Sequence, residues 1–357
     1  MPGVTVAAAT GPSDDAVFVL YTGGTIGMGP DARGALVPLD LRELAAHLPS
    51  IDRLGVGLTV ASFDQPLDSS AITPDDWLRI ADTIVDNVDG HVGVVVLHGT
   101  DTMAYTASAL SFLLDGIDLP IVLTGSQRPI TALRSDGREN LITALEFAAA
   151  HARGGPLIPE VAVFFDDVLL RGNRTVKLHA DSYRGFGSPN LGPLATAGVT
   201  LEYDHSLIRP PRPGPLRRVS GVCRDVIGIR LHPGLDRAGL EATLSRPGLR
   251  GVVLEAYGAG NGPTDDWFVE TLRRHVAAGT TIVVATQCLA GSVTAGQYAT
   301  GAALMATGAV PGADMTFEAA LTKLMVLLDG DDGTDRGDAT RRLIQQDLAG
   351  ELTALPE

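Results

Sequence analysis

Lysine is almost missing from this chain: of 27 basic residues, only Lys177 and Lys323 are lysines and the rest are arginines. Arginine keeps its proton in any protein environment, whereas a desolvated lysine can release one and act as a base. Lys177 lies in Arg171-Gly172-Asn173-Arg174-Thr175-Val176-Lys177-Leu178-His179-Ala180-Asp181. Three other segments set hydroxyls beside glycines: Thr22-Gly23-Gly24-Thr25, Gly99-Thr100-Asp101-Thr102 and Thr124-Gly125-Ser126. A hydroxyl becomes a useful nucleophile when a base beside it takes its proton and a third group orients that base. Thr100, Lys177 and Asp101 are the parts of such a Thr–Lys–Asp set. No Gly-x-Ser-x-Gly elbow occurs, so a serine-hydrolase arrangement has no support.

Other residues of the same types have plainer readings. Thr22 is expected to support its turn rather than to attack. His98 and His179 are expected to be packing or hydrogen-bonding neighbours rather than general bases. Lys323, in an apolar helical pattern, is expected to snorkel or to pair. Cys288 is expected to be a buried small hydrophobe.

The elements that would position these groups alternate along the chain. Ala16–Tyr21 is an apolar run ending in the first hydroxyl turn, and Leu58–Phe63 is a second strand. Thr73-Pro74-Asp75 opens a helical pattern over Trp77–Val85, with an N-cap and proline at the first helical position. Gly93–Leu97 is a strand running into His98-Gly99-Thr100-Asp101-Thr102, followed by an apolar helix through Leu114. Pro120–Thr124 is a strand, a helix follows near Asp136–Ala150, and Val161–Phe165 is again a strand. Such β–turn–α repetition predicts a mainly parallel sheet with helices on both faces. In doubly wound sheets ligands bind beyond the carboxyl ends of the strands, where the three hydroxyl turns fall.

Residues Ile208–Leu216 hold four prolines within six positions and read as a stiff, extended linker. Beyond it the alternation resumes: strands at Val226–Leu231, Gly251–Leu254 and Thr281–Ala285, helices at Trp267–Ala278 and Phe317–Leu328. The expected organisation is a larger N-terminal α/β domain over residues 15–205, a linker over 206–218 and a smaller α/β domain over 219–357. Residues 1–15 read as a frayed lead-in without the features of a secretory signal.

Composition narrows the function classes. Hydrophobic residues are 45% and charged residues 19%, a globular balance with a sizeable core. The net charge of −15 opposes binding to nucleic acid and to anionic lipid. No apolar run approaches the roughly 18 residues a membrane span needs. Two cysteines far apart, Cys223 and Cys288, suit a reducing compartment and offer no disulfide framework. No His-x-His or Cys-x-x-Cys pair suggests a metal, and Asp329–Asp335 fails the spacing of a calcium loop and reads as a solvated acidic loop.

Tyr21-Thr22-Gly23-Gly24-Thr25-Ile26-Gly27, His98-Gly99-Thr100-Asp101-Thr102-Met103-Ala104 and Arg171–Asp181 resemble the three signature segments of the bacterial L-asparaginase family, its cytoplasmic type I branch most closely. The resemblance extends through Asp68-Ser69-Ser70, Thr124-Gly125-Ser126-Gln127, Tyr257-Gly258-Ala259-Gly260-Asn261 and Thr286-Gln287-Cys288. It runs in order from about residue 16 to the C-terminus. The resemblance implies a Rossmann-like N-terminal domain and a smaller α/β C-terminal domain, hydrolysis of L-asparagine to L-aspartate and ammonia, and no cofactor or metal. It implies that Thr25 is the nucleophile and that Thr100, Lys177 and Asp101 activate the hydroxyl and then the attacking water. Ser69 and Ser70 would hold the substrate α-carboxylate and Asp101 its α-ammonium. The backbone around Thr100 and Ser126 would stabilise the oxyanion. Asn261 would reach the neighbouring subunit's site in an intimate dimer, two of which form a tetramer.

Two departures from the family pattern matter. The loop after the nucleophile, Met28–Leu36, has no tyrosine where many members carry one. Some type I members bind asparagine at a second, activating site through a threonine before the catalytic lysine and an arginine before the Tyr-Gly-x-Gly-Asn turn. This chain has Val176 and Glu255 there, which argues against such activation. Open alternatives are a broader glutaminase-asparaginase, the ammonia-generating subunit of a tRNA amidotransferase, and an inactive amino-acid sensor. One methylene of substrate is worth only ~1–3 kcal/mol in a pocket, so the first of these is not separable by sequence.

Overall fold

The structure, a computed structural model, describes residues 4–10, 15–30, 36–38, 55–155, 157–294, 299–329 and 336–353. The chain forms two compact units, Met1–Val219 and Ser220–Glu357.

The first unit is built on a nine-stranded sheet. Its strands are β1 (Val4–Thr10), β2 (Ala16–Gly23), β3 (Gly57–Leu67), β4 (His91–Leu97), β5 (Ile121–Thr124), β6 (Val161–Phe165), β7 (Val168–Arg171), β8 (Ala195–Ala197) and β9 (Leu201–Tyr203). They lie in the order β1-β3-β2-β4-β5-β6-β7-β8-β9. The five central strands, β3-β2-β4-β5-β6, are parallel. β1 and β7 to β9 add antiparallel edges. Counted from β2, the parallel core follows the 2-1-3-4-5 order, so its direction of winding reverses between β2 and β4.

Burial explains this architecture. β2 is buried at every position, and β4 is buried from Gly93 onward. Strands covered on both faces read as continuous apolar runs. Helix α1 (Pro74–Asn87) starts as its cap signal predicts: the Thr73 N–H and hydroxyl both donate to Asp76 Oδ2 at 2.8 Å. Helix α2 (Met103–Leu113) is buried at every position but Tyr105, which marks an interior helix. Helix α3 (Gly137–Ala148) sets Leu141, Ala144, Leu145 and Ala148 into one core with Val17, Val19, Tyr21, Val95, Leu97 and Val122.

Residues 4–10 are not a frayed lead-in but strand β1, with Val4 opposite Phe63 and Val6 opposite Ala61 on β3. The proline-rich stretch is tied to the first unit. Arg212 N–H donates to Ile117 O at 3.0 Å, Arg217–Arg218 pairs with Leu114–Asp115, and Val219 N–H donates to Leu113 O at 2.9 Å.

The second unit holds four parallel strands in sequential order: β10 (Val226–Arg230), β11 (Gly251–Ala256), β12 (Thr281–Thr286) and β13 (Val310–Pro311). Leu240 and Leu244 of α4 (Arg237–Leu244) and Phe268 and Leu272 of α5 (Asp266–Ala277) pack on Val252, Leu254, Ile282 and Val284. Lys323, on a further helix α6 (Phe317–Leu327), does not snorkel. Its side chain is 0% exposed, is ion-paired at 2.5 Å with the equally buried Glu351, and donates to Ile344 O and Gln346 O. The pair fastens the C-terminal segment to the unit's interior.

Cys288 is exposed, and the buried cysteine is Cys223. Cys288 follows β12 in a turn where its N–H donates to the Thr286 hydroxyl at 3.0 Å, beyond the covered part of the strand. Residues 31–35 of the loop after Thr25 and 330–335 of the acidic segment lie outside the described residues.

Candidate active site

Three of the turns noted in the sequence leave the carboxyl ends of adjacent strands, two of them flanking the winding reversal. The first turn follows β2. Gly23 and Gly24 both have positive φ (139° and 94°), and a Cβ on Gly24 would stand 2.5 Å from Gly99 N. Only glycine allows that backbone approach. The turn after β2 therefore rests directly on the turn after β4, and Thr25 and Thr100 follow the two touching glycines. Thr22 supports the turn, its hydroxyl donating to Leu97 O at 2.9 Å. The hydroxyl of Tyr21 donates to Gly27 O at 3.3 Å beneath the same turn. Burial pushes the Tyr21 phenol up to about 12, so it stays neutral.

The second turn, His98–Thr102, is fixed from below and beside. His98 is fully buried between Gly99 O (2.6 Å from Nδ1) and the Thr106 hydroxyl (2.9 Å from Nε2). A carbonyl can only accept, so Nδ1 carries the proton and Nε2 accepts from Thr106. Burial brings the imidazole down to about 4, leaving it neutral and structural. Ser69 is buried against Gly99, where any side chain would collide with its hydroxyl. The Thr102 hydroxyl donates to Ser69 O at 2.7 Å. Ser70 is exposed, and its N–H and hydroxyl both donate to Asp68 Oδ1 at 2.9 Å. Those bonds hold the Asp68 carboxyl below its ordinary range.

Lys177 arrives from a distant part of the chain. The buried Arg171–Glu160 ion pair and the Thr175 hydroxyl, donating to Arg171 O at 2.8 Å, fix the segment before it. Its own backbone pairs with Phe186. Lys177 Nζ donates to Thr100 Oγ1 at 2.8 Å and to Asp101 Oδ1 at 2.7 Å, across 77 and 76 residues of sequence. The lysine side chain is 19% exposed and the aspartate 61%, so the amine is sheltered while the acid opens to solvent. This is a hydroxyl and an amine in contact, with a carboxylate that orients the amine.

The third turn follows β5. His98 N–H donates to Thr124 O at 2.9 Å, which sets Gly125 and Ser126 beside the Thr100 turn. The Ser126 hydroxyl is engaged with Arg128 O at 2.5 Å, so what this residue offers the crevice is its backbone. Asn261 belongs to the second unit, in the turn after β11, where it exchanges two backbone hydrogen bonds with Tyr257 at 2.8 and 2.9 Å.

The sequence reading passed over Thr102, Asp136 and Asn140, which hold these turns. Thr102 lies in the Gly99–Thr102 turn and Asp136 at the start of a helix, but neither position in the sequence signals its partner. His179 is exposed rather than packed. Among the described residues no group of three or more His, Cys, Asp or Glu is placed to hold a metal ion, and no helix is long and apolar enough to cross a membrane.

The fold and site together define an α/β protein with a hydroxyl–amine–carboxylate set at the switch point of a doubly wound sheet. Residues 16–209 match the family model described as asparaginase, N-terminal, and residues 225–339 the glutaminase/asparaginase C-terminal domain. The chain belongs to the asparaginase family. It is 42% identical over 343 residues to L-asparaginase 1 of Escherichia coli (strain K12), covering 94% of this chain and 98% of that protein. It is 43% identical over 375 residues to the mouse (Mus musculus) 60 kDa lysophospholipase, covering 98% of this chain and 64% of that protein. The crystal structure of L-asparaginase I from Vibrio cholerae superposes with a TM-score of 0.84 at 36% identity, over 95% of this chain and 99% of that one.

Proposed function

We propose that the protein is an L-asparaginase, hydrolysing the side-chain amide of L-asparagine to L-aspartate and ammonia through a threonine acyl-enzyme. The observation that carries this reading is Lys177 Nζ bonded at once to Thr100 Oγ1 and Asp101 Oδ1 beside the Thr25 turn. Ser69 and Ser70 hold the substrate α-carboxylate and Asp101 meets its α-ammonium. Thr25 Oγ attacks the amide carbon, and its proton passes through the Thr100–Lys177 pair to the leaving nitrogen. The C–N bond breaks and ammonia departs. Water then gives a proton to the same pair and attacks the ester, which releases aspartate and restores Thr25. Backbone donors around Thr100 and Ser126 meet the oxyanion, and each such donor is typically worth ~3–4 kcal/mol in kcat.

The reading extends to assembly and setting. Asn261 of a neighbouring copy completes the site in an intimate dimer, two of which form a tetramer, and the enzyme works in the reducing cytoplasm. Ammonia release measured side by side with asparagine and glutamine tests the activity. Faster turnover of asparagine supports the reading, equal rates make the enzyme a glutaminase-asparaginase, and no release from either overturns it.

A further inference from the structure

The turn that presents Ser126 has no helix or strand of its own, yet four of its backbone groups, Gly125 O, Gln127 N, Arg128 N and Arg128 O, are held by side chains. Asp136 Oδ2 accepts from Gln127 N at 2.8 Å and Oδ1 from Arg128 N at 3.1 Å. Asn140 Nδ2 donates to Gly125 O at 2.9 Å and to Asp136 Oδ2 at 3.3 Å. The hydroxyls of Ser126 and Ser135 both donate to Arg128 O. Asn140 is 1% exposed, and its Oδ1 accepts from Asp166 N at 3.1 Å. Asp166 sits at the β6–β7 turn with φ of 59°, a conformation few side chains adopt, so Asn140 ties the Ser126 turn to a second fixed turn.

The geometry points to Asp136 and Asn140 as positioning residues for the reaction, acting through the backbone of Ser126. Their hydrogen bonds run to backbone groups and to one another. Both come from the start of α3, a helix locked in the core, so the turn takes its place from the most rigid element nearby. Backbone groups that stabilise a developing charge must be placed within a fraction of an ångström, because they act only if no reorganisation is needed. The inference rests on the asparaginase reading.

Asp136→Asn keeps volume but loses the charge that draws two N–H groups together. Asn140→Asp keeps the acceptor for Asp166 N but removes the donor to Gly125 O. Each is expected to lower kcat about 10²-fold, the effect of displacing reacting groups by about an ångström. KM for asparagine and Kd for L-aspartate should stay within about threefold, since Ser69, Ser70 and Asp101 are untouched. A merely structural role would lower the folded fraction and leave kcat per folded enzyme unchanged, and that result overturns the proposal. Hydrogen exchange of the wild-type Gln127 and Arg128 amides reports without any substitution: slow exchange is expected, and exchange as fast as an open loop overturns it. A wild-type enzyme inactive on asparagine would sink the functional reading, whereas an active wild type with unaffected Asp136→Asn and Asn140→Asp variants sinks this inference alone.

Discussion

Thr25, Thr100 and Lys177 each have a substitution that removes one function and little else. Thr25→Ala and Thr100→Val delete a hydroxyl and are expected to lower kcat by about 10³-fold or more, because residues that act as a unit fail together. Lys177→Arg keeps the charge facing Asp101 but not the removable proton, and should be nearly as damaging. Steady-state ammonia assays check all three, and an active Lys177→Arg enzyme would refute the base assignment. His98 makes a different prediction. Its folded value of about 4 lies below the ordinary 6.5, so between those values the unfolded chain binds the proton and the folded chain does not. Stability therefore falls as pH drops through that window, by on the order of 2 kcal/mol between pH 7 and pH 5 from this group. Urea unfolding at both pH values, compared with His98→Asn, measures that share, and an identical pH dependence in the variant would contradict it. The scarcity of lysine singled out Lys177 in the sequence, but its contact with the Thr100 hydroxyl and the Asp101 carboxylate, 77 and 76 residues away, belongs to the fold. Thr102, Asp136 and Cys288 were not legible, since hydrogen-bond partners and exposure at strand ends depend on contacts far apart in sequence.

The turns are where element geometry and chemistry meet. Gly24→Ala places a Cβ 2.5 Å from Gly99 N at a φ of 94°, so the Thr25 turn must move away from the Thr100 turn. Such a shift of about an ångström is expected to lower kcat roughly 10²-fold, beyond the ~1–3 kcal/mol the backbone strain itself costs in stability. Kinetics and thermal unfolding on one sample separate the two effects, and an unchanged kcat would show that the contact does not govern the nucleophile. The central strands and helices were readable because burial on both faces writes continuous apolar runs, and because Thr73-Pro74 and the glycine turns punctuate them. β1 was not, since Val-Thr-Val-Ala-Ala-Ala-Thr is rich in alanine, a weak strand former. Its pairing with β3 supplies what its composition lacks.

At the scale of the whole molecule, two proposals concern how sites communicate. Val176 is a short-strand residue opposite Gly187, and Glu255 is ion-paired with Arg230 at 3.5 Å. Neither a hydrocarbon at position 176 nor a carboxylate at position 255 attracts an asparagine carboxylate, so the rate is expected to rise hyperbolically with asparagine, and a strongly sigmoidal curve would overturn this. If Asn261 completes a neighbour's site, mixing inactive Thr25→Ala with an Asn261→Ala variant should restore activity in mixed assemblies, towards a quarter of wild type under random pairing. No recovery after verified subunit exchange would show each chain working alone. The two-unit organisation was foreshadowed by composition, but assembly leaves little mark on a single sequence.

The near absence of lysine carries one practical consequence. Reagents that couple to primary amines usually scatter over a protein's surface, but here they have few targets. Lys323 is sealed inside with Glu351 at 0% exposure, and Lys177, at 19%, is the lysine whose side chain solvent reaches. Beyond the terminal amine, polymer grafting or resin immobilisation through such reagents would strike the amine proposed as the base. Attachment through the exposed Cys288 thiol avoids that amine.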